Sequence, residues 1–221
     1  MTGLAVLSVF VPLRLMHFII CTISDQPGNY LVLKRTKKTM NKFSITEFKP
    51  TIFFLVKFIG IYVVTNLLYG IFVTAYNPKP DPVTRMVSEH TSGALQVLGW
   101  QTETRDDINK PTTQLICDGK SVLAIFEGCN GINVMIIFVA FLIAFGPLNR
   151  ALLWFIPVGL IILHVMNLVR IGLLFYVSLF IPRFMYFTHK YLFTDVLYVV
   201  VFLLWVAWVK KFTKPKPAPT R

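Results

Sequence analysis

Four stretches of this chain stay apolar for about the thickness of a bilayer, and that narrows the folds open to it. A spanning helix needs about 20 mainly apolar residues. Ile52–Ala75 meets this with one lysine, Lys57, near its start. Cys129–Leu148 meets it if its small polar residues face protein. Ala151–Phe180 is longer than one crossing needs, and Tyr191–Val209 completes the set. Of the 221 residues, 55% are hydrophobic and 14% charged, where soluble chains carry about 25% charge. That content excludes disorder and argues against a water-soluble globule. The formal charge is +12. The basic residues sit beside apolar runs, which points to a membrane and not to nucleic acid. The expected fold is an all-α polytopic membrane protein of about four transmembrane helices, with a small extracytoplasmic loop region.

Residues 1–39 stand apart. Leu4–Ile23 is apolar but contains Pro12, Arg14 and His17, and no basic segment precedes it, so it reads poorly as a signal peptide. Met40, followed by Lys42 and Lys49, opens a more ordinary start. We treat 1–39 as an N-terminal extension upstream of an alternative start. Lys and Arg in short loops set orientation. Residues 34–49, Arg150 and the tail from Lys210 carry twelve basic residues; loops 77–128 and 181–190 carry seven. Both ends of the four-span unit are therefore expected in the cytoplasm and both of those loops outside. Residues 212–221 form a basic, proline-rich cytoplasmic tail.

The long outer loop has structure of its own. Val83–Leu98 has the pattern of a short amphipathic helix. Gln114–Cys117 and Ser121–Phe126 read as a β-hairpin around Asp118-Gly119, a preferred two-residue turn. The second strand then runs almost directly into Cys129. That geometry argues against a Cys117–Cys129 disulfide. About six extended residues separate the pair by roughly 20 Å, and a disulfide spans less than about 7 Å between Cα atoms.

Ionisable residues within apolar spans are costly and mark candidate sites. Here they are Cys129, His164, Arg170, His189 and Asp195. Cys129 opens a span at its outer end, where free N–H groups and the helix dipole would favour thiolate. Arg170 lies about 19 residues, or roughly 28 Å, from Ala151, and so near the outer interface. Asn167 is one turn away on the same face. His189 precedes the last span, also at the outer side. His164 lies roughly 9 Å deeper than Arg170 and competes with His189. Asp195 could pair with arginine or orient a histidine. Each residue has a plainer alternative: a packed cysteine, an arginine snorkelling to headgroups, an interfacial histidine. Together, three spans deliver a thiol, a guanidinium and an imidazole to one membrane face. That set suits acyl transfer, with a thiolate attacking a peptide carbonyl, imidazole as base and then acid, and guanidinium stabilising the oxyanion.

Cys129-Asn130-Gly131 at a helix start, Asn167-Leu168-Val169-Arg170-Ile171 on the next span and His189 before the last resemble the exosortase/archaeosortase family of polytopic membrane enzymes. The resemblance is strongest to the exosortase F subtype and covers about Met40–Lys211. It implies Cys129 as nucleophile, Arg170 as transition-state stabiliser and His189 as acid/base, with Asn130 and Asn167 in substrate binding or support. It implies no cofactor and no metal. The implied substrates are membrane-anchored exported proteins with C-terminal sorting signals. The cleaved end would pass to water or to a lipid or glycan acceptor, on the extracytoplasmic side of a bacterial cytoplasmic membrane. The chain lacks the extra spans of larger exosortases, which leaves acceptor handling open, and its subtype has no evident sorting-signal partner. Two other readings compete. One is a non-enzymatic membrane protein, such as a transporter subunit or assembly factor, with Arg170 and Asp195 as a packing ion pair. The other is a Cys129–His189 metal site, which has too few ligands for zinc.

Overall fold

A computed structural model describes residues 45–146, 149–189 and 193–212. Leu4–Ile23, the extension 1–39, Cys21 and most of the tail 212–221 lie outside them. The chain divides into two compact units at Phe48/Lys49. Of the first unit only Ile45–Phe48 is described; the strands and the remaining helices belong to the second.

The first helix, α1, covers Ile45–Thr74. Three prolines at 78, 80 and 82 prevent its continuation, because proline lacks the N–H and clashes with the preceding turn. Asp81 then caps α2, Pro82–Val97, by accepting from the backbone N–H of Val83 and Thr84 at 3.0 Å each. Pro82 stands at the first turn, where its missing N–H costs nothing. One face of α2 is buried through Thr84, Val87, Ser88, Thr91, Ser92 and Leu95, the three-and-four spacing of an amphipathic helix.

Three antiparallel strands come next in the order β1-β2-β3: β1 Thr102–Asp106, β2 Thr112–Cys117 and β3 Lys120–Phe126. Asp118 and Gly119 both have positive φ, 49° and 74°, as the expected two-residue hairpin turn requires. The hairpin is therefore as read from sequence, but β1 makes it a three-stranded sheet. The residues of β1, Thr-Glu-Thr-Arg-Asp, have no apolar alternation to announce a strand. Thr102 is buried by exchanging hydrogen bonds with Ser92. Leu115 and Cys117 pack with Leu95 and Phe175, while Ile125 packs with Val87, Cys129 and Ile171.

Helix α3 spans Ile132–Phe145, α4 Arg150–Phe180 and α5 Phe193–Phe212. A 3-10 turn at Pro182–Phe184 and a single helical turn at Met185–Phe187 lie between the last two. Close packing joins these apolar helices. Gly159 of α4 permits this: a Cβ there would sit 2.3 Å from the Phe138 ring of α3. Trp205 of α5 stacks on Phe141 at 4.2 Å between centroids, worth about 0.5–1.5 kcal/mol beyond area burial. Lys57 of α1 donates to the carbonyl of Ile143 at 2.9 Å, at the end of α3 where carbonyls lack intrahelical partners.

Two helices, over Lys49–Thr74 and Arg150–Phe180, are long and apolar enough to cross a membrane. Only 6% and 22% of their most apolar windows is buried within the protein, unlike the core helix of a soluble domain. Phe53, Leu67 and Ile71 of α1, and Leu153, Trp154 and Ile161 of α4, are all exposed. The expected span from Cys129 is shorter than its apolar run. Its helix has 14 residues and begins at Ile132, just after the left-handed Gly131, with φ 82°.

Candidate active site

Strand β3 leads straight into a 3-10 turn, Glu127–Cys129, which places Cys129 between the sheet and α3. Its side chain is 5% exposed and packs with Val87, Ile125 and Ile171. The sulfur lies 3.5 Å from Nε2 of His189, which sits between Phe187 and α5. The Arg170 guanidinium, from α4, lies near enough for its charge to act on both the thiol and the imidazole. Cys129, His189 and Arg170, singled out in the sequence, therefore meet at one point.

The two asparagines form the frame of this cluster. Asn130 Oδ1 accepts from the N–H of Ile132 at 3.1 Å, closing the turn into α3. Its Nδ2 donates to the Tyr69 hydroxyl at 2.6 Å and to Thr84 Oγ1 at 3.1 Å. Asn130 thus ties the turn to α1 and to the capped end of α2. Asn167 Nδ2 donates to the Cys129 carbonyl at 3.1 Å, and its Oδ1 accepts from Arg170 Nη1 at 3.2 Å. Gly131, next to Asn130, leaves no room for a side chain: a Cβ would come within 3.0 Å of Asn167 Cγ. Cys-Asn-Gly is thus a buried thiol, a strut and a close approach in sequence order.

Arg170 is 8% exposed, and its Nε has no hydrogen-bond partner among the described residues. A buried guanidinium N–H without a partner costs about 1–3 kcal/mol. Asp195 is exposed and makes no ion pair with Arg170 among the described residues.

Cys129 and His189 lie outside the apolar helices, and their surroundings set their protonation. Burial pushes the Cys129 thiol up, and the nearby Arg170 charge draws it down by less. The net shift is upward, which corrects the expectation of a helix-lowered thiol. Cys129 stands ahead of the left-handed Gly131 and outside the first turn of α3, where desolvation outweighs the dipole. Burial and then the Arg170 charge hold His189 below the usual histidine range. The resting pair at neutral pH is therefore thiol and neutral imidazole.

His164 meets His90 at 3.0 Å and is not the histidine beside the Cys129 sulfur. Cys117 and Cys129 are both free cysteines in separate apolar clusters. Sequence reasoning missed Tyr69 and Thr84 as supports. A tyrosine in an apolar helix and a threonine after a proline carry no local sign of a contact 61 or 46 residues away. Comparison with protein-family models, with curated proteins and with solved structures gives no match.

Proposed function

We propose that this protein is a membrane-embedded cysteine endopeptidase or transpeptidase of the exosortase type. Its substrates would be membrane-anchored exported proteins, cut at C-terminal sorting signals, with release to water or transfer to a lipid or glycan acceptor. In this reading the chain crosses a bacterial cytoplasmic membrane four times, with the Cys129 cluster on the extracytoplasmic side. The observation that carries it is the meeting of Cys129 Sγ, His189 Nε2 and the Arg170 guanidinium. Three separate chain segments bring together the groups that acyl transfer uses, and they are the same three side chains that the sequence pattern marks. The lack of an Arg170–Asp195 ion pair among the described residues weighs against the purely structural role for that arginine.

The neutral pair defines the first step. As Cys129 Sγ attacks the scissile carbonyl, His189 Nε2 takes the thiol proton. The new C–S bond places negative charge on the carbonyl oxygen, and Arg170, including its unpartnered Nε–H, donates to it. When the C–N bond breaks, the His189 proton passes to the departing amine. The resulting thioester is attacked by water or an acceptor amine. His189 removes that proton, and the thiol is restored when the C–S bond breaks. Asn167 holds the Cys129 carbonyl and the guanidinium in register throughout.

Replacing the sulfur tests this. Cys129→Ser should abolish processing of surface-protein C-termini, measured by mass spectrometry, at unchanged protein abundance. Full processing by that variant would end the proposal.

A further inference from the structure

The Cys129 turn is held by a chain of hydrogen bonds whose direction is set from one end. Asp81, ahead of α2, is 2% exposed, and Thr84 is wholly buried. A carboxylate only accepts, and Asp81 Oδ2 accepts from the Thr84 hydroxyl at 2.5 Å. With its hydrogen spent there, Thr84 Oγ1 accepts from Asn130 Nδ2. Asn130 Oδ1 takes the Ile132 N–H, which fixes the amide orientation, and the second Nδ2 hydrogen goes to the Tyr69 hydroxyl. Both amide hydrogens and the amide oxygen of Asn130 are then engaged. The chain ends at Tyr69, half-buried on α1, with the phenol oxygen accepting. Its own O–H donates to no acceptor among the described residues. Glu127, two residues before Cys129, lies near enough for its charge to act on that hydroxyl.

We propose that Tyr69 is a substrate-binding residue, whose O–H donates to a backbone carbonyl of the peptide presented to Cys129, and that Asp81, acting through Thr84 and Asn130, positions it for that bond. The inference rests on the peptidase reading above. A peptide carbonyl fits the donor because it is neutral and only accepts. An anionic group fits less well, since the charges of Asp81 and Glu127 both act on the same hydroxyl. Every residue of a peptide carries a backbone carbonyl, so this contact fixes where the chain lies without reading its side chains. Tyr69 is on α1 and Arg170 on α4, so the substrate is held from two helices.

The test is labelling of Cys129 in the full-length protein in detergent, read by mass spectrometry. One reagent is an N-acetyl-dipeptide chloromethyl ketone, which carries peptide carbonyls; the other is methyl methanethiosulfonate, which carries none. Labelling by the ketone should saturate. Tyr69→Phe keeps the ring beside Phe72 and removes only the hydroxyl. It should raise the half-saturating ketone concentration about tenfold, the upper range for one net hydrogen bond. The maximal rate and the rate with methanethiosulfonate should not change, whereas a merely structural role would alter both reagents alike. Asp81→Asn keeps the α2 cap but removes the acceptor for the Thr84 hydroxyl. It should raise the same concentration, and the double variant should be no weaker than Tyr69→Phe alone. Thr84→Ser, which keeps the hydroxyl, should match the parent. Labelling of the parent that does not saturate, an unchanged concentration in Tyr69→Phe, or losses that add in the double variant would overturn the proposal. Failure of the peptidase reading shows elsewhere, as processing retained by Cys129→Ser, so the two failures are told apart.

Discussion

Asn167 donates its side-chain amide to the backbone carbonyl of Cys129 at 3.1 Å, so the helix that carries Arg170 also fixes the backbone that carries the sulfur. The same side chain accepts from Arg170. One residue on α4 therefore links the Cys129 turn to the Arg170 guanidinium, two groups well separated in the chain. Any displacement of α4 against the Cys129 turn would change both at once.

Asn167→Ala should lower turnover about 100-fold, the size of loss that a misplacement of about 1 Å produces. It should leave the cysteine alkylatable. Single-turnover acylation alongside iodoacetamide labelling separates misplacement from unfolding. Unchanged acylation would remove Asn167 from any positioning role.

Gly131→Ala should destabilise the protein by about 1–3 kcal/mol, since it combines a left-handed φ of 82° with a Cβ contact at 3.0 Å. The control is Gly93→Ala on α2, where a Cβ meets nothing within 4 Å; it should be neutral or stabilising by about 0.5–1 kcal/mol. Thermal unfolding in detergent measures both, and equal melting points would contradict the crowding at Gly131.

The protonation states set a pH dependence. His189 must be neutral to act as base, and its pKa lies below the usual value of about 6.5. Processing should thus rise through an acid limb below pH ~6.5 and hold across neutrality. The thiol is shifted the other way, so alkylation of Cys129 should still be increasing above pH ~8.5, the range of an ordinary cysteine. Arg170→Gln removes the charge that lowers the thiol pKa and should slow alkylation at any fixed pH in that range. Alkylation already complete at pH 6 would show a preformed thiolate and refute the neutral pair.

Arg170→Lys should cost about 100-fold or more in turnover, the loss seen when one oxyanion donor is removed, because lysine has neither the planar fork nor the Nε donor. Abundance should stay near wild type. A variant as fast as the parent would reduce Arg170 to an anchor.

Orientation is open to a labelling experiment. Lys120, beside the hairpin turn, and Lys211, at the end of α5, are both exposed. In a background lacking the native cysteines, Lys120→Cys should react with an impermeant maleimide on intact cells. Lys211→Cys should react only after the membrane is opened. The reverse pattern would invert the topology.

Hydropathy was enough to place α1 and α4 and the apolar runs around α3 and α5, because twenty successive apolar side chains state their own requirement. Turn chemistry placed the hairpin at Asp118-Gly119, and apolar periodicity placed α2, since both depend on neighbours a few positions apart. Polar strand β1 is hidden from such reading because its burial comes from Ser92 and β2 and not from its own pattern. Cys129, Arg170 and His189 could be named as candidates from their depth in the spans. Which histidine joins Cys129 was decided by packing: His164 is taken up by His90 across α2 and α4, and the segment before α5 delivers His189 instead. The thiol's upward shift was likewise beyond local reading, since it comes from burial among Val87, Ile125 and Ile171, drawn from three different elements.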